Sequence, residues 1–179
     1  MLRHRAPSCA GNAGYALIAA ALTALAMASS VKAEELPAPE GTVLLTISGD
    51  IENTNGDGIA EFDIDMLRAI GETEITTETV WTPGTKVFKG VPLSTLLEYV
   101  GADGESIDAT AINDYSITIP MSDAVPTGPI IAYEMDGELM SRRDKGPLWV
   151  IYPFSSSSEY RTEVIYSRSI WQLDRLAIK

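Results

Sequence analysis

Chemistry needs side chains that change charge, bind metal or attack, and here such types are few. The chain of 179 residues holds one His, His4, and one Cys, Cys9. From residue 34 onward there is neither imidazole nor thiol. Residues 34–179 therefore cannot assemble a Ser-His-Asp or Cys-His nucleophilic site, a His-based zinc site or a thiol redox centre. Carboxylates, Lys, Arg, Tyr and Ser remain. Arg142, Arg143 and Lys145 form the one basic cluster, either a solvated loop that balances charge or an anion-binding lip to a pocket. Trp81, Trp149 and Trp171 are suited to packing a core or to lining a ligand pocket. Asn53-x-Asn55-x-Asp57-Gly58 imitates the first half of a calcium loop, with oxygen ligands at alternate positions before a glycine. Its twelfth position, which should supply a bidentate Glu, is Ile64, and Asp63 and Asp65 flank it out of register. The same residues are strong turn formers, so a hairpin turn is the simpler expectation.

The elements that must position these groups begin after a leader. Arg3, His4 and Arg5 precede an Ala/Leu-rich run from Tyr15 to Met27, and Val31-Lys32-Ala33 places modest residues before Glu34-Glu35. This is the layout of a secretory signal peptide, expected over residues 1–33 and cut after Ala33. The run is short and alanine-rich for a membrane span, and no second one follows, so a soluble, exported, periplasmic protein is expected. Without Arg3, Arg5 and Lys32, ten basic residues face 25 acidic ones, a formal charge of −15 on 146 residues. That balance argues against nucleic acid as a partner, because phosphate binding needs a basic face.

Residues 34–41 read as a short Pro-containing leader, and residues 42–179 as one domain long enough to bury a core. Val43, Leu45 and Ile47 alternate as a strand, Asn55-Gly56-Asp57-Gly58 marks a turn, and Ala60 to Ile64 resumes an extended pattern. Asp63 or Asp65 caps a short helix carrying Met66, Leu67 and Ile70, and Glu74 to Trp81 reads as a strand. Pro92 opens the best-marked helix, with Leu93, Leu96, Leu97 and Val100 on one face and Gly101 at its end. Strand-like runs follow at 107–112, 115–119, 130–135, 148–152 and 171–178, with Asp136-Gly137 as a hairpin turn. The expectation is an α+β domain: a mixed, strand-rich, sheet- or barrel-like core with two or so short helices.

Five stretches then point to a family. Phe88-Lys89-Gly90-Val91-Pro92-Leu93 with Leu96-Leu97 resembles the W-x-G-x-x-L-x-x-L-L element of the sulfite-oxidase-type molybdopterin-binding domain. Asp114-Tyr115 through Ile119-Pro120 resembles its G-Y-x-x-x-I-P strand, and residues 131–139 its L-A-Y-x-M-N-G-x-x-L hairpin. Residues 146–153 are similar to G-x-P-L-R-L-V-V-P, and Arg168-Ser169-Ile170-Trp171 to the closing element. No one stretch is specific; five in family order and spacing are. The resemblance covers about Phe88 to Ile178 and implies the family's mixed α+β fold.

The departures bear on function. The resemblance implies a molybdenum-ligating Cys about a dozen residues before Gly90, which falls at or near Glu78 in Thr77-Glu78-Thr79-Val80-Trp81, where no thiolate exists. A hard carboxylate does not reproduce a soft sulfur ligand. The family's Arg in P-L-R is Trp149 here, and its active-site His has no counterpart. Arg161 and Arg168 stand where the family has basic residues for the pterin phosphate; they either hold an anion or pair with this chain's many carboxylates. Tyr115 either presents its hydroxyl to the former site or is an ordinary strand tyrosine. Arg3-His4-Arg5 is not a twin-arginine pair, so unfolded, Sec-type export is expected, which could not carry a cofactor through. The sequence therefore leads to a non-catalytic binding or accessory module, with no cofactor expected. Its cleft candidates are Glu78, Thr79, Trp81, Tyr115, Arg161 and Arg168, and its occupant a small anion or a protein partner. Two alternatives stand beside it: a molybdopterin-dependent oxidoreductase that retains pterin without a Cys ligand, and a structural or sensory partner of a membrane protein.

Overall fold

The computed structural model describes residues 35–179, so the segment read as a signal peptide lies outside the described residues. Among the described residues, no helix is long and apolar enough to cross a membrane.

Among the described residues, ten strands and three short helices follow one another: β1 (Leu45–Gly49), β2 (Ala60–Phe62), α1 (Ile64–Ile70), β3 (Thr73–Thr79), β4 (Thr82–Pro92), α2 (Leu93–Tyr99), β5 (Ser106–Ala111), β6 (Ser116–Pro120), β7 (Ile130–Met135), β8 (Glu138–Leu139), β9 (Trp149–Ile151), α3 (Glu163–Arg168) and β10 (Leu173–Ile178). They build two sheets. One runs β2-β1-β10-β5-β6 and is mixed, because β1 and β10 are parallel while its other pairs are antiparallel. The other runs β3-β4-β7-β8, with β9 also on β7, and is antiparallel throughout. The strand-rich α+β class is the one the sequence implies. The sheets stay open rather than closing into a barrel, and among the described residues α3 joins the two expected helices.

Periodicity explains the strands. In β5, Ile107, Ala109 and Ala111 are buried while Ser106, Asp108 and Thr110 are not, so one face meets the core. In β7, Ile130 to Tyr133 are all buried, as are all three residues of β9, which marks a region covered on both faces. The sheets are joined where β9 meets the segment entering β10. Trp149 bridges Trp171, Val150 N–H donates to the Ile170 carbonyl at 2.9 Å, and Leu173 N–H to the Leu148 carbonyl at 3.0 Å.

The helices close as their sequences imply. Leu93, Leu96 and Leu97 of α2 are buried, and Gly101 follows with φ 62°, a left-handed turn that favours glycine. Asp63 caps α1 by accepting from Met66 N–H at 2.9 Å. Its other oxygen accepts from Gly41 N–H at 2.7 Å and Glu40 N–H at 3.0 Å, which ties the leader to the helix. Asn55 ties its turn to the neighbouring backbone. Its amide donates to the Pro37 and Glu61 carbonyls and its oxygen takes Glu61 N–H, each at 2.8 Å, while Asn53 Nδ2 donates to the Tyr99 carbonyl.

These contacts set two expected outcomes. A Cβ on Gly90, at the register shift between β4 and β7, would stand 2.2 Å from the Ile131 carbonyl oxygen and 2.6 Å from Ala132 Cα. Gly90→Ala is therefore expected to cost about 1–3 kcal/mol in denaturant unfolding. For Asp63, the N–H groups of Met66 and Gly41, helped by Glu40, hold the carboxyl below the ordinary aspartate range. A depressed carboxyl contributes stability that is complete above the unfolded value of about 3.9 and fades as pH falls through the lower folded value. The melting-temperature gap between wild type and Asp63→Ala should thus be widest near neutral pH and shrink in acid; a gap independent of pH would refute this account.

Candidate functional site

The hairpin end joining β3 to β4 is shaped by threonine hydroxyls. Thr79 Oγ1 accepts from Trp81 N–H at 3.1 Å and Thr82 N–H at 3.0 Å and lies 2.8 Å from Thr82 Oγ1. Buried Thr77 pins the serine loop after β9: its Oγ1 lies 3.0 Å from Ser155 Oγ and accepts from Ser155 N–H at 2.9 Å, and Glu78 N–H donates to Ser155 Oγ at 3.1 Å. This hydroxyl lattice holds Trp81 at the centre of an aromatic cluster. Its ring stands 5.7 Å from those of Trp149, Tyr166 and Trp171 and 6.1 Å from Phe154, all edge-to-face.

Two cavities open beside that cluster. The larger, of about 360 Å³, is lined chiefly by Trp81, Tyr115, Tyr166, Ile170, Trp171 and Gln172. The smaller, of about 330 Å³, is lined by Glu78, Thr79, Val80, Phe154, Arg161 and Tyr166, together with Ser155. Tyr166 belongs to both. The fold thus gathers Trp81 and Tyr115 in one cavity and Glu78, Thr79 and Arg161 in the other. The Arg161 guanidinium donates to the Phe154 carbonyl at 3.0 Å. Exposed Glu78 has its carboxylate 3.5 Å from the Thr85 hydroxyl across the hairpin.

The basic loop sits beside the larger cavity. Lys145 Nζ lies 4.2 Å from the centroid of Trp171 and 5.5 Å from that of Trp149. Gln172 ties the loop down, donating its N–H to the Lys145 carbonyl at 2.9 Å and its Nε2 to the Arg142 carbonyl at 2.8 Å. Arg142 and Arg143 are exposed on the short 3-10 turn before Lys145. Sequence reasoning did not single out Tyr166 or Gln172. Tyr166 lies on α3, whose six residues are too few to show a helical period, and Gln172 is placed by a positive φ of 55°.

Arg168 lines neither cavity. Its Nη1 donates to Asp123 Oδ2 at 2.9 Å, and the Tyr152 hydroxyl donates to the same oxygen at 2.7 Å. Burial, then the Asp123 carboxylate, pushes the Tyr152 phenol well above the usual tyrosine range, so it stays a donor. The Arg168 and Asp123 side chains are only 23% and 15% exposed, so the pair is better shielded than a surface one. A double-mutant cycle on Arg168→Met and Asp123→Asn is expected to give a coupling of about 1–2 kcal/mol in unfolding experiments; additive effects would show the pair to be incidental.

The comparisons with known proteins agree with this architecture. The family described as the oxidoreductase molybdopterin binding domain matches residues 61–159, more than half of the chain. Among solved structures, that of the sulfane dehydrogenase SoxCD from Paracoccus pantotrophus is similar, with a TM-score of 0.54 and 20% sequence identity. The match covers 75% of this chain and 37% of that one, a likeness of fold. No curated protein matches the sequence. The family match over residues 61–159 shows that this chain belongs to the oxidoreductase molybdopterin binding domain family.

Proposed function

We propose that this chain is an exported periplasmic member of the family that works without catalysis, as a module binding a small ligand beside the Trp81 cluster. One observation carries the reading. The stretch that answers to the family's metal-ligand position holds Thr77, Glu78 and Thr79, and the indole of Trp81 is packed edge-to-face by four rings.

The residues present do not fit a molybdenum–pterin group. The Thr77 and Thr79 hydroxyls are engaged with Ser155 and with the Trp81–Thr82 backbone, Glu78 is a hard oxygen donor, and residues 34–179 contain no thiolate. Among the described residues, no group of three or more His, Cys, Asp and Glu side chains is placed to hold a metal ion. The two arginines that the family resemblance assigns to the pterin phosphate have other partners, Arg168 with Asp123 and Arg161 with the Phe154 carbonyl. The likeness to SoxCD supports the fold of this reading and carries no substrate with it.

The test is elemental analysis for molybdenum and tungsten, with released-pterin fluorescence, on protein taken from the envelope of its own host. The expected result is a colourless protein free of both metal and pterin. Stoichiometric molybdenum with pterin would overturn the proposal in favour of an oxidoreductase that keeps its cofactor without a Cys ligand, with Glu78 as the first residue to replace.

A further inference from the structure

The aromatic side chains around the larger cavity are less buried than those of the core, Tyr115 being 54% and Trp171 37% exposed, and their polar ends are used differently. In the core these are engaged internally: Trp149 Nε1 donates to the Ser169 carbonyl at 3.0 Å, the Tyr133 hydroxyl to Glu72 at 2.9 Å, and the Tyr152 hydroxyl to Asp123 at 2.7 Å. The cavity is lined by the rings of Trp81, Tyr115, Tyr166 and Trp171, and none of their indole N–H or phenol O–H groups makes a hydrogen bond to another described residue. Indole N–H only donates, so a ligand that meets Trp81 and Trp171 there must offer acceptors, and the two phenol hydroxyls can donate to them as well.

Charge points the same way. Neither an acidic nor a basic side chain lines this cavity, in a chain where acids outnumber bases 25 to 13. The cation nearest its aromatic wall is Lys145 on Trp171, and neither it nor Arg142 or Arg143 forms an ion pair with a described carboxylate. Backbone conformation marks the place independently. Of the four non-glycine described residues with positive φ, Gln172 lines the cavity, Asp114 lies between lining Asn113 and Tyr115, and Lys145 covers Trp171. Conformations of this kind are concentrated at binding and catalytic sites, where the surroundings hold them in place.

We propose that this cavity binds a planar ligand of one or two fused rings bearing a carboxylate or similar oxyanion. The aromatic walls take the rings, and the Lys145 loop supplies the counter-charge. A volume of about 360 Å³ lies at the small end of ligand sites and suits a fused bicycle. The site lies beside the Glu78–Arg161 cavity and not in it, with Tyr166 as the shared wall. The proposal rests on the non-catalytic binding reading and names the ligand class of that module.

The test is calorimetric titration of the protein from residue 34 onward with three probes of one shape: 2-naphthoate, 2-naphthol and 2-naphthyltrimethylammonium. Naphthoate is expected to bind about tenfold more tightly than naphthol, the gain of one charge-assisted contact, with the ammonium weakest. Lys145→Gln should erase most of the naphthoate advantage and leave naphthol unchanged, while Trp171→Leu should weaken both. Equal affinities for naphthoate and naphthol, preference for the ammonium, or indifference of naphthoate to Lys145→Gln would each overturn the anion assignment. No binding of any probe at millimolar concentration, by a protein whose melting is cooperative, would overturn the site itself. Molybdenum and pterin in the native protein would defeat the reading beneath this one without altering the naphthoate–naphthol contrast, so the two failures are distinguishable.

Discussion

One indole decides how the two sheets sit against each other. Trp149 is fully buried on β9, its N–H engaged by the Ser169 carbonyl and its backbone bridged to Trp171 at the approach to β10. Its ring stands 5.5 Å from Phe88 on β4, 5.7 Å from Trp81 and 6.3 Å from Trp171. A side chain of this size dominates the local burial of apolar area, and its single donor is satisfied, so the arrangement carries no buried polar cost. Fixing Trp149 fixes residues 169–172, and with them the cavity wall formed by Ile170, Trp171 and Gln172. Where the family resemblance places an arginine, this chain has put the residue that holds its sheets together.

Most of the fold was legible because burial imposes a period. β1, β5 and β7 appear in the sequence as alternation or continuous apolar runs, and α2 as leucines spaced three and four apart behind a proline. β4 was hidden because Thr82-Pro83-Gly84-Thr85 opens it with turn residues, and its apolar content begins only at Val87. The far half of this strand packs on β7, while the near half is a solvent-exposed hairpin arm whose pairing to β3 no periodicity announces. α3 was missed because it spans six residues and carries β-branched Val164 and Ile165, which favour strands when read alone. Closure could not be read at all, since an open sheet and a barrel show the same alternation along each strand.

The site was legible in its residue types and not in its partners. Counting back from Gly90 reaches Glu78, and the fold sets Glu78 and Thr79 with Arg161 in the smaller cavity and Trp81 in the larger. Arg168 was grouped with Arg161 because the family resemblance sets basic residues for the pterin phosphate at both positions. What separates them is Asp123, 45 residues away in sequence, brought to Arg168 by the fold. Lys145 shows the reverse case. A charged loop read alone is a solvated loop, and only the Trp149–Trp171 bridge beneath it turns Lys145 into the cation beside an aromatic cavity.

The same packing explains how a fold associated with a bound group can stand without one, on the non-catalytic reading. Trp81 makes four edge-to-face contacts, and such pairs are each worth about 0.5–1.5 kcal/mol beyond area burial. They tie the β3–β4 hairpin end to β9, to the serine loop and to α3. The hydroxyl contacts of Thr77 and Ser155 then set the loop at a fixed height against β3. An aromatic cluster is tolerant in a way a metal site is not. Its contacts depend on shape and area rather than on one ligand atom, so the cavity beside it can change its occupant while the scaffold keeps its form. The acidic surface sets the long-range field. Beside the Trp171 wall, well within a Debye length of about 8 Å, stands Lys145, its Nζ 4.2 Å from the ring centroid and not ion-paired to a described carboxylate.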